Sequence, residues 1–552
     1  YGLVIDLKAN SCLKICDRMN LYLNSSNCFP WNYNYFNSKI NNKNIIVHEL
    51  NLTNQENKNA ILLKDNNVKD LINKFVIRCP NNDKYTNRLY EELEIINEKN
   101  LCSYLLRART ILDLTKNIPH VTRGSCGSSL VCYLLGISNV DPIKYNIKFE
   151  RFLNKYRNNL PDIDLDFPHF LRDEVFLKLQ LTWPNQVARI SNHVNWHDKS
   201  SLREAIRRVG IKKKIPKEDI TNFVKKLSLE ERCKITSIQN ELNDTFRHYS
   251  LHCGGIVFFH NGIPDELLYN KNERKTISQI IYNKDDIAKH ENFKIDILSS
   301  RAVSQLVSIC GNNIDFSDCK YDEKTYKLFS SGDNIGITLG ESPLIRKAFL
   351  KIKPKSITDL AICLAIIRPA AKDARVNIND IDFKTQFVFD DDAISLLSEY
   401  LNISYDLSDK FRRCIGKDKW DKDTKSKYDK LLNSINEDKK IELLSKLSNL
   451  RKYSFCKSHS YSYAQLIFKL AYQKTHNKKQ FWISTLKNGH SSYRKWVHLY
   501  EAKLAGVDVS NYIKKSNDIS IYAENRRKKF DNLTMEEQLR RFGYWDMIDN
   551  SF

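Results

Sequence analysis

Asp162, Asp164 and Asp166 alternate with Ile163, Leu165 and Phe167. Strict period two reads as a β-strand, on which residues i, i+2 and i+4 share a face. The pattern stacks three carboxylates on one face and three apolar side chains on the other. Like charges at that spacing repel unless cations answer them. Hard oxygen donors suit Mg2+, and two such ions about 3.5–4 Å apart can clamp an in-line phosphoryl displacement. A solvated acidic face fits the same spacing without any ion, so the pattern alone leaves both open. A further acid, Asp296, lies in a separate apolar run, Phe293–Leu298, with Lys294 two residues before it. Alone it reads as a strand-end ion pair. It gains interest if the fold sets it beside Asp162 and Asp164.

A second group with chemical potential is Arg123-Gly124-Ser125-Cys126-Gly127-Ser128, ahead of an apolar run from Leu130 to Ile137. It reads as a turn, a glycine-rich loop and a helix start. Backbone N–H groups at a helix start hold phosphate, and Arg123 adds a forked donor. An ordinary helix cap is the plain alternative. No GK[ST] follows, so the loop is not a Walker P-loop.

The elements that must position these groups are spread over 552 residues, too many for one core. At roughly 150 residues per domain, three to four folding units are expected. A hydrophobic fraction of 41% excludes global disorder. No apolar run reaches the roughly 18 residues of a membrane span, and the charged first residues lack a signal-peptide layout. Lys and Arg exceed Asp and Glu by 88 to 66, a net charge of +22. That excess favours polyanions, nucleic acid before anionic membrane, although a Lys/Asn/Ile-rich background accounts for part of it. The 14 cysteines form no C-x2-C pair, and Cys12 and Cys16 have no matching second pair, so zinc is not expected. The thiols are expected to stay reduced, which makes the expectation an intracellular, soluble protein.

Residues 1–80 read as irregular. Leu89, Leu93, Ile96, Leu101, Tyr104, Leu105, Ala108, Ile111 and Leu112 recur at near-helical spacing. Residues 171–252 read as mostly charged helix, with a basic block from Arg203 to Lys217. Gly254–Phe259 and Phe293–Leu298 read as buried strands. From residue 301 the pattern is mostly helical, and 415–440 reads as an exposed hairpin or insertion.

Taken in order, these motifs resemble the bacterial replicative DNA polymerase III alpha subunits, the family C DNA polymerases. Arg123–Val131 resembles the family's GRGSxxGSLV loop. Asp141-Pro142, Phe149–Asn154 and Pro161–Phe167 are similar to its DP, FERFLN and PDxDxDF segments. Arg203–Arg207 and Arg247–Gly255 are similar to RxAIR and RHxSxHxxG, and Phe293–Leu298 to KFDFLG. Glu341–Pro343, Ile367–Pro369 and Lys457–Ala464 are similar to ES, RPGP and NKSHxxxYA. Each motif is weak alone; their order over about 400 residues makes the resemblance specific.

The resemblance implies an α+β fold. Its core is a polymerase-beta-like nucleotidyltransferase palm with a mixed β-sheet, joined by a helical thumb and large helical fingers. The implied divisions are an N-terminal segment 1–80, palm 81–192, thumb 193–250, palm 251–300, and fingers with a C-terminal helical region 301–552. It implies a DNA-directed DNA polymerase that adds dNMPs to a primer 3′ end. Asp162, Asp164 and Asp296 inherit the catalytic, metal-holding role for two Mg2+ ions, and Asp166 supports them. Arg123, Gly124, Ser125, Lys294, Arg368, Lys457, His459 and Tyr463 inherit contacts to the incoming dNTP. Arg203, Arg207 and Arg247 are expected against primer–template DNA.

Departures from the family pattern are visible. No HxH pattern of the family's amino-terminal PHP domain occurs in 1–80, and no OB or tau-binding region is expected. RPGP is replaced by Arg368-Pro369-Ala370-Ala371. Gln538–Phe542 resembles a sliding-clamp pentapeptide, for which a helical Gln is the plain alternative. Two other functional readings stay open: a catalytically inactive primer–template binder, and a template-independent nucleotidyltransferase.

Overall fold

The computed structural model describes residues 82–99, 101–157, 161–211, 215–216, 219–259, 261–269, 277–290, 294–368, 388–448, 455–488, 493 and 495–512. Residues 1–80, the Pro369-Ala370-Ala371 variant, part of the basic block and Gln538–Phe542 lie outside the described residues. The chain forms two compact units. One comprises Tyr1–Lys178 with Ile295–Phe552, the other Leu179–Lys294.

The first unit opens with α1 (Asp83–Glu98) and α2 (Cys102–Leu114). The near-helical periodicity is the buried stripe of this pair: Leu89, Leu93, Ile96, Tyr104, Ala108 and Ile111 are all nearly inaccessible. Next come β1 (Val121–Arg123), a 3-10 turn over Gly124–Ser128, the short helix α3 (Leu130–Leu134) and β2 (Ile163–Pro168). β1 runs antiparallel to β2.

The second unit holds β3 (Val187–Asn195), α4 (Asp198–Arg208), α5 (Leu229–Leu242), β4 (Phe246–Phe258), β5 (Leu268–Tyr269) and β6 (Gln279–Ile280). Within it β4 pairs antiparallel with β3, β3 parallel with β6, and β6 antiparallel with β5. β3 and the first half of β4 correct the helical reading of 171–252. Ala188, Ile190 and Val257 carry the sheet core, while the distal residues of both strands are partly exposed and mix polar side chains with Val194, Phe246 and Leu251. A strand that is apolar for only half its length gives a weak period-two signal. Ala205, Ile206 and Ile235 form a separate small helical core here.

The chain returns to the first unit along β7 (Lys294–Ser300), which pairs parallel with β2. Beyond it the described residues are helical. The elements used below are α6 (Arg301–Cys310), α7 (Ile357–Ile366), α8 (Asp392–Leu401), α9 (Tyr405–Lys417), α10 (Lys422–Ser434), α11 (Glu437–Leu447) and α12 (Lys457–His476). Ser356, Ser404, Asp421 and Asn436 each accept the amide three residues on, at the starts of α7, α9, α10 and α11. Each such cap contributes about 1 kcal/mol. The main core gathers Val303, Phe329, Phe349, Leu360, Ile467 and Trp482. The long helix α12 runs through it, packing on α6, α7 and β1. A second core of Leu397, Phe411, Tyr428 and Leu443 joins α8 to α11. Residues 415–440 are therefore largely helical and mostly exposed, packed onto this core through Ile415, Tyr428 and Leu432.

Candidate active site

β1, β2 and β7 bring the acids together. Asp164 is the direct partner of Arg123 on one side and of Asp296 on the other. Parallel in-register partners point their side chains to the same face, on strands about 4.8 Å apart. Asp162 enters the same edge just before β2 begins. A third element registers all three charges. Tyr104 of α2 is buried and donates its hydroxyl to the Pro161 carbonyl at 2.9 Å. Its pKa is pushed well up, first by burial and then by the negative fields of Asp162, Asp164 and Asp296.

The acidic face is graded along β2. Asp162 is exposed, Asp164 half-buried and Asp166 fully buried. Asp166 is neutralised from within the protein. Arg123 closes a fork on it from the next strand, with Nε at 3.0 Å, and Tyr463 donates its hydroxyl at 3.1 Å. Burial pushes the Asp166 carboxyl up, and Arg123 and Tyr463 pull it back down. Asp166 is thus shut inside the protein, whereas Asp162 and Asp164 reach solvent. Arg123, expected on phosphate, is clamped on Asp166 instead.

The glycine loop touches this solvent-reaching end. Gly124 sits at φ +74°, and a Cβ there would lie 3.2 Å from Asp164 Oδ2. The backbone approaches the carboxylate as closely as only glycine permits. Helix α12 fixes the loop from behind. Ser458 donates to the Gly124 carbonyl at 2.8 Å, and Ser462 to the Thr122 carbonyl at 2.6 Å. The Ser125 hydroxyl meets no partner among the described residues.

The helix start behind the loop is not available to phosphate. Glu92 of α1, wholly buried, accepts the amides of Leu130 and Val131 at 2.8 and 3.0 Å and the Ser129 hydroxyl at 2.7 Å. Its own charge is met by Arg88 at 2.7 Å. A protein carboxylate occupies the anion position of α3, and only the 3-10 turn remains for a ligand. The sequence offered no sign of Glu92's role, because its partners lie far along the chain.

The remaining expected residues divide. His459 and Tyr463 lie one turn apart on α12, rings 4.4 Å apart, and Phe455 packs against His459 at 4.6 Å with the rings tilted. Arg368 lies over Phe455 at 4.2 Å. The His459 pKa is lowered to about 3, by burial first and then by the charges of Arg123 and Arg368. It is a neutral imidazole, not the basic contact expected, and its Nε2 has no hydrogen-bond partner among the described residues. Lys457 turns to the Asn146 carbonyl at 3.1 Å. Lys294 opens β7, two residues before Asp296. Arg203, Arg207 and Arg247 belong to the second unit; Arg207 pairs with Glu204 and Arg247 covers Trp196.

The oxygens of Asp162, Asp164 and Asp296 do not close to within 4.8 Å of one another as a single-ion cage would. Among the described residues only Asp390, Asp391 and Cys456 do so. That second group is already answered by protein charge. Arg151 and Arg412 pair with Asp390, and Asp391 accepts the Lys457 amide at the head of α12. The wider triad of hard oxygens, beside a loop without a Cβ, has the donor chemistry that suits magnesium.

Residues 62–299 match the bacterial DNA polymerase III alpha NTPase domain, and residues 297–381 match the finger domain of the same subunit. The chain belongs to the bacterial DNA polymerase III alpha family. It is 30% identical to the DNA polymerase III subunit alpha of Thermotoga maritima, over 73% of this chain and 47% of that relative. Identity to the same subunit of Ureaplasma parvum is 26%, over 98% of this chain and 61% of the relative. For Bacillus subtilis it is 27%, over 77% and 43%. The chain spans about half the length of the curated relatives it matches. The polymerase III alpha match includes Asp162, Asp164, Asp296 and the Gly124 loop, and its finger-domain part ends before α12 begins. No helix among the described residues is long and apolar enough to cross a membrane.

Proposed function

We propose that the chain extends a primer on a DNA template, transferring dNMPs from dNTPs to the 3′ end. The observation that carries this is the cross-strand pairing of Asp164 with Asp296 next to Gly124. It unites a metal-holding acid pair with a backbone turn that admits a phosphate. In this reading residues 81–192 and 251–300 form the palm, 193–250 the thumb, and 301–552 the fingers and C-terminal helices.

Asp162, Asp164 and Asp296 would hold two Mg2+ ions, which supply charge neutralisation and acidify the attacking hydroxyl. The Gly124–Ser125 turn receives the triphosphate with backbone amides and the Ser125 hydroxyl. Arg368 and Lys457 add positive charge at the rim, and Lys294 stands on the same strand as Asp296. His459 offers a neutral hydrogen bond from Nε2, which does not change with pH near neutrality. Arg123 and Tyr463 hold Asp166, and through it the pitch of β2, so their contribution is to position Asp164. Arg203, Arg207 and Arg247 are the proposed duplex contacts, and such contacts weaken steeply with salt.

A primer-extension assay with Mg2+ tests the reading. Template-copied products support it; untemplated tailing or no product overturns it. Asp164→Asn lowers extension by at least about a hundredfold, the loss expected for several kcal/mol of barrier. Extension at the parental rate would remove the metal assignment.

A further inference from the structure

Away from the carboxylates, in the first unit, a cavity of about 240 Å3 opens between the Asn154–Arg157 segment and α9. Five of its lining side chains are cations, Arg157, Lys410, Arg413, Lys417 and Lys419, and none is acidic. The nearest buried acid, Asp409, lies beneath Arg413 and is paired with it at 2.6 Å and with Arg412 at 2.7 Å. Lys410 has only a long contact to Asp421, 3.9 Å. Lys417 and Lys419 are exposed and form no ion pair among the described residues. The lining therefore carries a surplus of positive charge, with the exposed acids Asp418, between the two lysines, and Asp421, near Lys410, as its neighbours.

Helix electrostatics do not account for the whole set. Cations at the C-terminal end of a helix answer its dipole, which explains Lys417. Arg157 and Lys410 face that end from another segment and from an earlier turn. The opposing wall is held rigid. Lys99 donates to the carbonyls of Lys155 and Arg157 at 3.2 and 2.8 Å, and Asp406 accepts the Lys155 amide at 3.0 Å. Asn154, buried, donates to Asp409 at 2.7 Å and accepts the Tyr156 amide at 3.0 Å. A rigid concave wall that concentrates one sign of charge is a built anion site.

Tyr156 sits in the lining with its ring 46% exposed, and Lys410 approaches that ring at 5.5 Å. An exposed aromatic face among cations suits a sugar or base beside its phosphate. None of Asp162, Asp164 and Asp296 lines the cavity.

We propose that this cavity binds a backbone phosphate of a single-stranded nucleic acid, with the neighbouring base laid on Tyr156. The inference does not require that the chain polymerise. It defines a strand-holding point outside the carboxylate site.

The test is binding of a fluorescent single-stranded oligonucleotide to the full chain, without Mg2+ or dNTP, so that failure here is separate from failure of the polymerase reading. Lys417→Glu with Lys419→Glu changes two exposed side chains and leaves the core untouched. It should weaken binding about tenfold and make the salt dependence shallower by about one to two log units per log unit. Tyr156→Ala should weaken it about fivefold or more at unchanged salt slope. Lys427→Glu with Lys439→Glu, the same charge change on α10 and α11, is the control. Equal weakening by the control pair would overturn the site. If the Lys417→Glu, Lys419→Glu variant lost binding of inorganic pyrophosphate, used as a second probe, while keeping that of the oligonucleotide, the strand assignment would be overturned.

Discussion

Asp164 and Asp296 are direct partners across a parallel ladder, although a whole unit of the chain separates them in sequence. Two like charges at strand spacing oppose folding when no cation is present. Asp164→Asn should therefore raise the thermal midpoint in EDTA while abolishing extension. Millimolar Mg2+ should raise the midpoint of the parent chain by mass action and leave the variant unmoved. A thermal-shift titration of both proteins checks this. Equal Mg2+ responses would argue against metal at Asp164.

The neighbouring acid should behave in the opposite way. Asp166 is buried and matched to Arg123 and Tyr463. Asp166→Asn strands a guanidinium against a neutral amide and should cost about 3–5 kcal/mol of stability. Urea unfolding of the first unit, followed by Trp482 fluorescence, reads this out. A change below about 1 kcal/mol would mean that the Arg123–Asp166 pair is solvated in solution.

Gly124→Ala separates folding from catalysis. The positive φ costs about 1–2 kcal/mol for an L-residue, and the new methyl meets Asp164 Oδ2 at 3.2 Å. A fall of a few degrees in the unfolding midpoint is expected, with a fall of tenfold or more in extension rate. Parental kinetics would show that the loop does not abut the reacting groups.

His459 and His120 give a pH signature. Burial, aided at His459 by Arg123 and Arg368, lowers their pKa to about 3 and about 4. Both are neutral when folded and titrate near pH 6.5 when unfolded. The unfolded chain binds more protons between these limits, so stability is present above pH 6.5 and is lost as pH falls through that window. Each histidine contributes a slope of about 1.4 kcal/mol per pH unit near pH 5. His459→Gln should flatten the stability profile by one such step between pH 6 and 4.5, measured by urea midpoints. An unchanged slope would place the imidazole in water.

How far these features could be read from sequence follows from their range. β2 was legible because Ile163, Leu165 and Phe167 are all buried on one side, which enforces the alternation. β7 was legible for the same reason through Ile295 and Ile297. β3 was not, because its second half, Asn192–Asn195, holds three polar residues around Val194, is partly exposed and blurs the period. The helix-start phosphate cradle was misread because a carboxylate from α1, Glu92, fills it through long-range bonds. Arg123 was assigned to phosphate because a strand-to-loop arginine shows its charge but not its cross-strand diagonal neighbour. The neutral state of His459 depends on two guanidiniums brought close only by the fold.

Because the β2–β7 ladder alone sets the spacing of Asp164 and Asp296, everything threaded between those strands is free to drift in length. The chain leaves the ladder after Pro168 and returns to its opposite end at Ile295, and the segment Leu179–Lys294 is inserted between these points as a cassette. Lineages could lengthen, shorten or exchange that cassette while the distance between the two acids stayed constant, provided the six rungs from Ile163 to Pro168 survived.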